Sequence, residues 1–180
     1  MSNGATEKLY DLNSYTKEFT ASVLSSTRDG DNFKTELSRT AFFPEGGGQY
    51  ADKGVLKFGD EAAEVTDVQI EKGRIFHYTD KSIPVGTEVK GEIDWHTRFV
   101  RMQNHSGEHI ISGIVHNKYG LDNIGFHLGD DDVTCDYNGD FTWEDLKQIE
   151  ALANSVVFNN VEITAEYPDS EKLKTMNYRS

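Results

Sequence analysis

The sequence contains one cysteine, three prolines and no long apolar run, and each shortage excludes a class of protein. A single thiol, Cys135, cannot form an internal disulfide, which fits a reducing cytoplasm. No apolar segment approaches the roughly 20 residues of a membrane-spanning helix, so an integral membrane protein is excluded. The first residues, Met1 to Lys8, lack the apolar stretch of a signal peptide. We therefore expect a cytoplasmic protein that does not contact a membrane.

Positive charge is also scarce, because 18 Lys and Arg face 31 Asp and Glu, for a formal net charge of −13. Phosphate binding depends on Lys and Arg, so this balance disfavours a general DNA- or RNA-coating protein. A specific nucleic-acid ligand remains open through a local basic patch, although ordinary surface charge is the plainer interpretation of the same residues. The candidates for such a patch are Arg98, Arg101, Lys118, Lys172, Lys174 and Arg179.

The remaining composition predicts a folded α+β chain that changes character near residue 95. With 180 residues and 36% hydrophobic residues, the chain can bury a core as one domain or two small ones. Residues 1–95 contain several short alternating strands separated by turns, which predicts a small β-barrel. Residues 96–180 contain helical periodicity, which predicts a helix-on-sheet α/β sandwich.

The second half is predicted to contain two helices and two strands. A helix over Thr97–Tyr119 would end at Gly120, and Thr142 would cap a second helix with Asp145 in the acidic position of a capping box. The apolar residues of each helix are expected to form its buried face; in the second they run from Trp143 to Val157, and in the first they are Phe99, Val100, Ile110, Ile111, Ile114 and Val115. We expect short strands at 134–137 and 161–167.

The first candidate for chemistry is His105-Ser-Gly-Glu-His109. Two imidazoles four residues apart on a helix point the same way and can share one metal ion. On a helical wheel they lie near Ser112 and His116, roughly opposite the apolar stripe, so they face solvent or a cleft. A solvated polar face is the plainer interpretation of this spacing, and a zinc ion would need two further ligands.

The same residues spell H-x-x-E-H, the inverted metalloprotease motif, in which Glu108 would be a general base. Glu108 lies to the side of the two histidines on the wheel. We therefore favour an ordinary exposed helix glutamate at this position.

The second candidate is a glycine-rich segment with the sequence Thr40-Ala-Phe-Phe-Pro-Glu-Gly-Gly-Gly-Gln-Tyr-Ala-Asp-Lys-Gly54. Three consecutive glycines permit unusual backbone conformations and let a ligand approach the main chain. The segment matches neither the dinucleotide fingerprint nor a P-loop. A tight turn between barrel strands is the plainer interpretation, but it leaves the dense polar flanks of the glycines unexplained.

Together, the two motifs resemble the alanyl-tRNA editing family. That family comprises the editing domain of alanyl-tRNA synthetase and its freestanding relatives, often called AlaX proteins. The resemblance rests on Thr40-x-Phe-Phe-Pro-x-Gly-Gly-Gly-Gln-x-x-Asp-x-Gly54, followed some fifty residues later by Arg-x-x-x-His105-x-x-x-His109. The order and separation of both motifs match, and the resemblance extends over nearly the whole chain from about Tyr10.

The resemblance implies an aminoacyl-tRNA deacylase that hydrolyses alanine tRNA mischarged with serine or glycine. Its partner would be the acceptor end of that tRNA, with no role for DNA. The resemblance makes His105 and His109 zinc ligands and Gln49 a catalytic group of the editing pocket. It also makes Thr40 a catalytic group, one that senses the serine hydroxyl. The wider synthetase family adds an association with ATP binding.

The loop between these groups would bind the substrate, according to the same resemblance. Gly46, Gly47 and Gly48 would shape the backbone beside the substrate, and Asp52 would either join them or brace the turn.

One part of the family pattern is absent from these residues. Relatives supply two more zinc ligands from a later Cys-x-x-x-His motif, whereas Cys135 is followed four places later by Gly139. We favour a chain truncated at its C-terminal side over a different mode of metal binding. His127 is a candidate third ligand, with a buried structural histidine an equal alternative. The predicted zinc site is therefore half complete.

Two other functions stay open. An editing-like module that binds tRNA without turnover would contain no zinc and would not deacylate. A metallohydrolase of the H-x-x-E-H class would depend on Glu108. The sequence does not assign an oligomeric state.

Overall fold

The computed structural model describes residues 6–128, 132–164 and 166–176. The chain forms two compact units, Met1–Asp140 and Phe141–Ser180. The boundary expected near residue 95 coincides with the change from strands to a long helix, but that helix belongs to the same unit as the strands before it. Among the described residues, no helix combines the length and the apolar character needed to cross a membrane.

The first unit consists mainly of strands, with one long helix and a final hairpin. Its strands are β1 (Glu7–Lys8), β2 (Glu18–Asp29), β3 (Asn32–Leu37), β4 (Arg39–Thr40), β5 (Gly54–Phe58), β6 (Glu61–Glu71), β7 (Arg74–Thr79), β8 (Glu88–Ile93), β9 (Asn123–Leu128) and β10 (Val133–Tyr137). Its helices are α1 (Leu9–Leu12) and α2 (Trp95–Tyr119).

Six of these strands close into a barrel in the order β2-β3-β7-β6-β5-β8, which confirms the predicted α+β fold with a small N-terminal barrel. All six neighbouring pairs are antiparallel. Alternation in β2 turns Phe19, Ala21 and Val23 inward, as the period of two in a strand requires. Leu37 and Phe42 are fully buried in the same core. The barrel is thus a packed scaffold from whose wall the glycine-rich loop emerges.

Helix α2 begins at its N-cap Asp94 and ends at Gly120, which adopts the left-handed conformation typical of a helix stop. The predicted helix is confirmed, but its predicted buried face is wrong except at Val115. The buried residues are Arg98, Arg101, Glu108, Ser112 and Val115, four of them polar. Most of the apolar stripe is half-buried and Val100 is exposed. The polar side faces inward because buried polar groups there find hydrogen-bond partners, as shown below.

The antiparallel hairpin of β9 and β10 contacts α2. Its strand β10 includes the strand predicted at 134–137.

The second unit contains α3 (Trp143–Phe158) and α4 (Ser170–Thr175). The predicted capping box is confirmed, since the Thr142 hydroxyl accepts from the Asp145 N–H and the Asp145 carboxylate accepts from Thr142. The predicted buried face of α3 is wrong in large part, because Ile149 is buried while Trp143 and Val157 are exposed. The strand predicted at 161–167 is also wrong for its described residues. No described strand pairs with it, and a strand exists only with a ladder partner.

Candidate functional site

The glycine-rich loop runs from the end of β4 to the start of β5 and folds into a tight turn. Gly46 and Gln49 exchange two backbone hydrogen bonds of 3.0 Å each. Gly47 and Gly48 have φ angles of +61° and +77°, which side chains disfavour. A Cβ at Gly48 would also lie 2.5 Å from Cδ1 of Phe126 on β9. The glycines therefore allow both the turn and the close approach of the hairpin.

The two sequence motifs meet at this turn. Nδ1 of His105 on α2 lies 3.0 Å from Oε1 of Gln49, which is 4% exposed. A Cβ at Gly47 would lie 3.6 Å from Cε1 of His105, so this imidazole is packed directly over the loop. The structure thus brings Gly47, Gly48, Gln49 and His105 into one cluster, which we call the loop–helix cluster.

The imidazoles of His105 and His109 stack with ring centroids 5.0 Å apart and an interplanar angle of 26°. Phe126 covers His105 from the hairpin side, at 5.6 Å between centroids. Burial lowers the pKa of His105, and the neighbouring His109 lowers it further. His105 is therefore neutral at pH 7 and carries a lone pair.

The Nδ1 atoms of both histidines lie near a side-chain oxygen, which bears on whether the two residues suit a metal ion. His105 faces the Gln49 oxygen, and Nδ1 of His109 lies 3.1 Å from Oε2 of Glu108. An Nδ1–H donated to an oxygen leaves Nε2 as the acceptor nitrogen, the usual arrangement of a metal-bound histidine. The pair thus fits two positions of a zinc site.

A complete site is not formed by the residues that the structure describes. Within 6–128, 132–164 and 166–176, no group of three or more His, Cys, Asp or Glu is placed to hold a metal ion. His127 is exposed, which makes the expectation of a buried histidine wrong, and its Nε2 lies 3.4 Å from the Tyr50 hydroxyl. The donor set is therefore half of what zinc requires.

Thr40 lies inside the barrel wall and is fully buried. Its hydroxyl lies 2.8 Å from Nε2 of His77 and accepts from the N–H of Phe42 at 3.1 Å. Nδ1 of His77 faces the carbonyl of Thr35, so His77 donates there and accepts the Thr40 proton. Burial lowers the pKa of His77 to about 4, which keeps it neutral. Thr40 thus already donates its single hydroxyl proton within the protein.

Asp52 connects the loop to α2. Its carboxylate accepts from Nε and Nη2 of Arg98 and from the N–H of Phe43, and both charged groups are buried. Burial raises the pKa of Asp52, and the Arg98 guanidinium opposes that shift. The structure thus places Asp52 between the loop and α2, in contact with both.

Four of the six candidates for a local basic patch are buried or paired with glutamates. Arg98 and Arg101 are buried, and Arg101 donates to the carbonyl of Ala51 at 2.7 Å. Lys172 and Lys174 in the second unit pair with glutamates, Lys118 is exposed, and Arg179 lies outside the described residues. The interpretation of Arg98 and Arg101 as surface cations is therefore wrong, because both hold the loop against α2.

A cavity of about 230 Å³ opens beside the loop–helix cluster. Arg101 lies under the Tyr50 ring at 5.6 Å and is one helical turn before His105. Both charge signs and one aromatic ring line the cavity, formed by Glu45, Tyr50, Ala51, Lys53, Thr66, Asp67 and Arg101.

Glu108 is the clearest error of the sequence interpretation, since it is 3% exposed rather than solvated. Its carboxylate accepts from the hydroxyl of Ser112 and from Nδ2 of Asn123 at 2.8 Å. Ser112, expected on the open face, is buried in this network and lies 3.1 Å from the Tyr137 hydroxyl. The partners from the hairpin lack a recognisable spacing in the sequence, so only the tertiary structure reveals them.

The chain is similar in sequence to several known proteins. A family model described as tRNA synthetases class II (A) matches residues 6–97. The chain is 34% identical over 166 residues to the alanyl-tRNA editing protein AlaX-L of Pyrococcus horikoshii, a match that covers 91% of this chain and 41% of that protein. It is 36% identical to the alanine–tRNA ligase of Ignicoccus hospitalis and 37% identical to that of Natronomonas pharaonis, covering 89% and 91% of this chain and 18% of each ligase. The chain thus spans less than half the length of these relatives.

Proposed function

Because the chain belongs to the class II (A) tRNA synthetase family as an AlaX-like editing member, we propose that it hydrolyses the ester of mischarged alanine tRNA. The relatives support a general editing role on alanine tRNA. Serine and glycine are the mischarged amino acids in this proposal, and the acceptor end of the tRNA is its binding partner.

The observation that carries the proposal is the contact between Gln49 and His105. In the reaction, water attacks the ester carbonyl carbon and the bond to the ribose oxygen breaks. The ribose oxygen takes one proton of the water and becomes a hydroxyl, and the amino acid leaves as a carboxylate after releasing the other proton to solvent. Gln49 uses its oxygen on His105, so its amide N–H groups are the donors suited to the substrate carbonyl. Gly46, Gly47 and Gly48 are exposed, so the ester can approach the backbone of the turn on its open side.

The neighbouring cavity suits the ribose end of the same ester. It is smaller than the ~300–1,000 Å³ of ordinary ligand pockets, so it suits a single nucleoside-sized fragment. Tyr50 offers an aromatic face, and Lys53 and Asp67 offer a donor and acceptors for hydroxyl groups.

Thr40 acts in this proposal as a positioning residue rather than as the sensor of the serine hydroxyl. Its side chain is fully buried and donates to His77. Its contribution is to fix the barrel wall at the start of the glycine-rich loop, with Phe42 held by the same hydroxyl.

Zinc remains part of the proposal through His105 and His109, whose Nε2 atoms would be its ligands. A bound zinc ion would supply a Lewis acid for the ester carbonyl or an activated water. The described residues provide two of the ligands that such an ion needs.

The metallohydrolase alternative is weakened by the geometry of Glu108. A general base must face the substrate, whereas this carboxylate is buried and accepts from Ser112 and Asn123. The non-catalytic tRNA-binding module stays as the second candidate, because the residues that the structure describes supply only two of the zinc ligands.

Deacylation of serine-charged alanine tRNA tests the proposal, with zinc content measured on the same sample. We expect release of serine above the spontaneous rate and a loss of about 100–1,000-fold in Gln49→Ala. Gln103 is an exposed glutamine on α2, so Gln103→Ala is the matched control and should retain full activity. Tight binding of tRNA without any deacylation would favour the non-catalytic module.

A further inference from the structure

The structure assigns Glu108 as the residue that fixes the ring of His109, and we propose that it holds this histidine in the Nδ1–H tautomer with Nε2 facing outward. The two residues are adjacent on α2, and Oε2 of Glu108 lies 3.1 Å from Nδ1 of His109. A carboxylate oxygen at this distance repels a nitrogen lone pair and attracts an N–H, so the contact places the proton on Nδ1.

The burial of Glu108 explains why this contact is specific. The carboxylate side chain is 2% exposed, while that of His109 is 65% exposed. An exposed imidazole whose neighbours were all mobile would exchange tautomers in water. A buried carboxylate is expensive unless its oxygens are satisfied, so its orientation is fixed by the groups that satisfy them.

Those groups come from two elements. Ser112, one turn further along α2, and Asn123 at the start of β9 both donate to Oε1 of Glu108. Tyr137 on β10 lies 3.1 Å from the Ser112 hydroxyl, so the hairpin supports the carboxylate from both strands. Oε1 is held by these donors, and Oε2 is the oxygen directed at His109.

The same tautomer follows independently for His105, because its Nδ1 faces the oxygen of Gln49. The two stacked rings therefore present two Nε2 lone pairs from one side of α2, each set by a different partner. A substrate proton or a metal ion would interact with these two Nε2 lone pairs. Its catalytic meaning rests on the proposed function, whereas the tautomers follow from the two contacts between Nδ1 and a side-chain oxygen.

The test is a long-range ¹H–¹⁵N spectrum of the histidine side chains at a pH where both rings are neutral. In the unaltered protein we expect the Nδ1–H pattern for His105 and for His109. In Glu108→Ala, His109 should shift to the Nε2–H form or to a mixture, and His105 should keep its pattern. In Gln49→Ala, His105 should change its pattern and His109 should keep its pattern.

This crossed design separates a positioning role from a structural one. Loss of helix α2 would change both histidines together, whereas loss of one partner changes one ring. Glu108→Gln retains a carbonyl acceptor and should largely restore the His109 pattern. Glu150→Ala, an exposed glutamate of α3, is the matched control and should change neither ring.

Three outcomes would overturn the proposal. The first is the Nε2–H form at His109 in the unaltered protein, a result that does not depend on the folding of any variant. The second is an unchanged His109 pattern in Glu108→Ala, and the third is a change of both rings in each variant.

If deacylation is observed, Glu108→Ala should lower its rate about 10–100-fold, as is typical for a partner of a functional histidine. A protein without deacylase activity would contradict the proposed function and leave the tautomer result valid.

Discussion

Oε1 of Gln49 and Nδ1 of His105 lie 3.0 Å apart, although 56 positions separate the two residues in the chain. One belongs to a loop of the barrel wall and the other to the middle of α2. Their contact places the glycine-rich motif and the histidine motif in one cluster. The predictions below test the groups that hold this cluster in place.

Gly48→Ala should destabilise the protein by about 3 kcal/mol, and Gly47→Ala by about 1 kcal/mol. Both positions have positive φ, but only at Gly48 would a Cβ collide with Phe126. Urea unfolding of both variants measures the difference. Adding Phe126→Ala should lower the free energy of unfolding by less in the Gly48→Ala background than in the unaltered protein. Equal costs in the two backgrounds would show that the ring does not set the requirement for glycine.

Asp52→Ala should destabilise the protein by about 3–5 kcal/mol, because it leaves the buried Arg98 guanidinium without its carboxylate. The exposed pair of Glu18 and Lys90 provides the control. Glu18→Ala should change the free energy of unfolding by less than about 1 kcal/mol. Chemical denaturation compares the two, and similar losses would contradict the bracing role of Asp52.

Thr40→Val should destabilise the protein by about 1–3 kcal/mol, because His77 and the Phe42 N–H each lose a buried partner. The double variant Thr40→Val/His77→Phe removes both polar side chains and should recover part of this loss. Thermal unfolding together with serine release checks the prediction. A fully stable Thr40→Val variant that loses only serine release would instead support direct sensing of the serine hydroxyl.

Stability should fall as the pH drops from about 6.5 to about 4 through the buried His77. Its folded-state pKa of about 4 lies below the ordinary value of 6.5, so between these values the unfolded chain binds more protons. The free energy of unfolding therefore decreases toward acid, by about 3 kcal/mol in all. Unfolding measured at several pH values should show this slope. In the Thr40→Val/His77→Phe variant, the part of this pH dependence that comes from His77 should be lost.

Much of the fold was predictable from the sequence, because it depends on local patterns. Alternating strands with turn residues indicated the barrel, and Gly120 and the pair of Thr142 and Asp145 indicated where helices end and begin. Both motifs of the site were also recognisable, since glycine runs and histidines four residues apart are local features.

The orientation of α2 was not predictable, because it depends on which neighbours supply hydrogen bonds. Periodicity favoured the apolar stripe as the buried face, yet Arg98, Arg101 and Glu108 are the residues that turn inward. Each of them finds a partner far away in the sequence, at Asp52, Ala51 and Asn123 respectively.

The sequence by itself determined the barrel, the helix limits and the identity of the two motifs, since each depends on residues close together in the chain. Only the tertiary structure decided that Glu108 is a buried support for His109 and that Thr40 donates to His77 rather than outward. The physical reason is that the residues next to a polar side chain in the sequence do not determine its surroundings in the fold. Burial and partner atoms, which come from other elements, decide whether it is solvated, structural or available for chemistry.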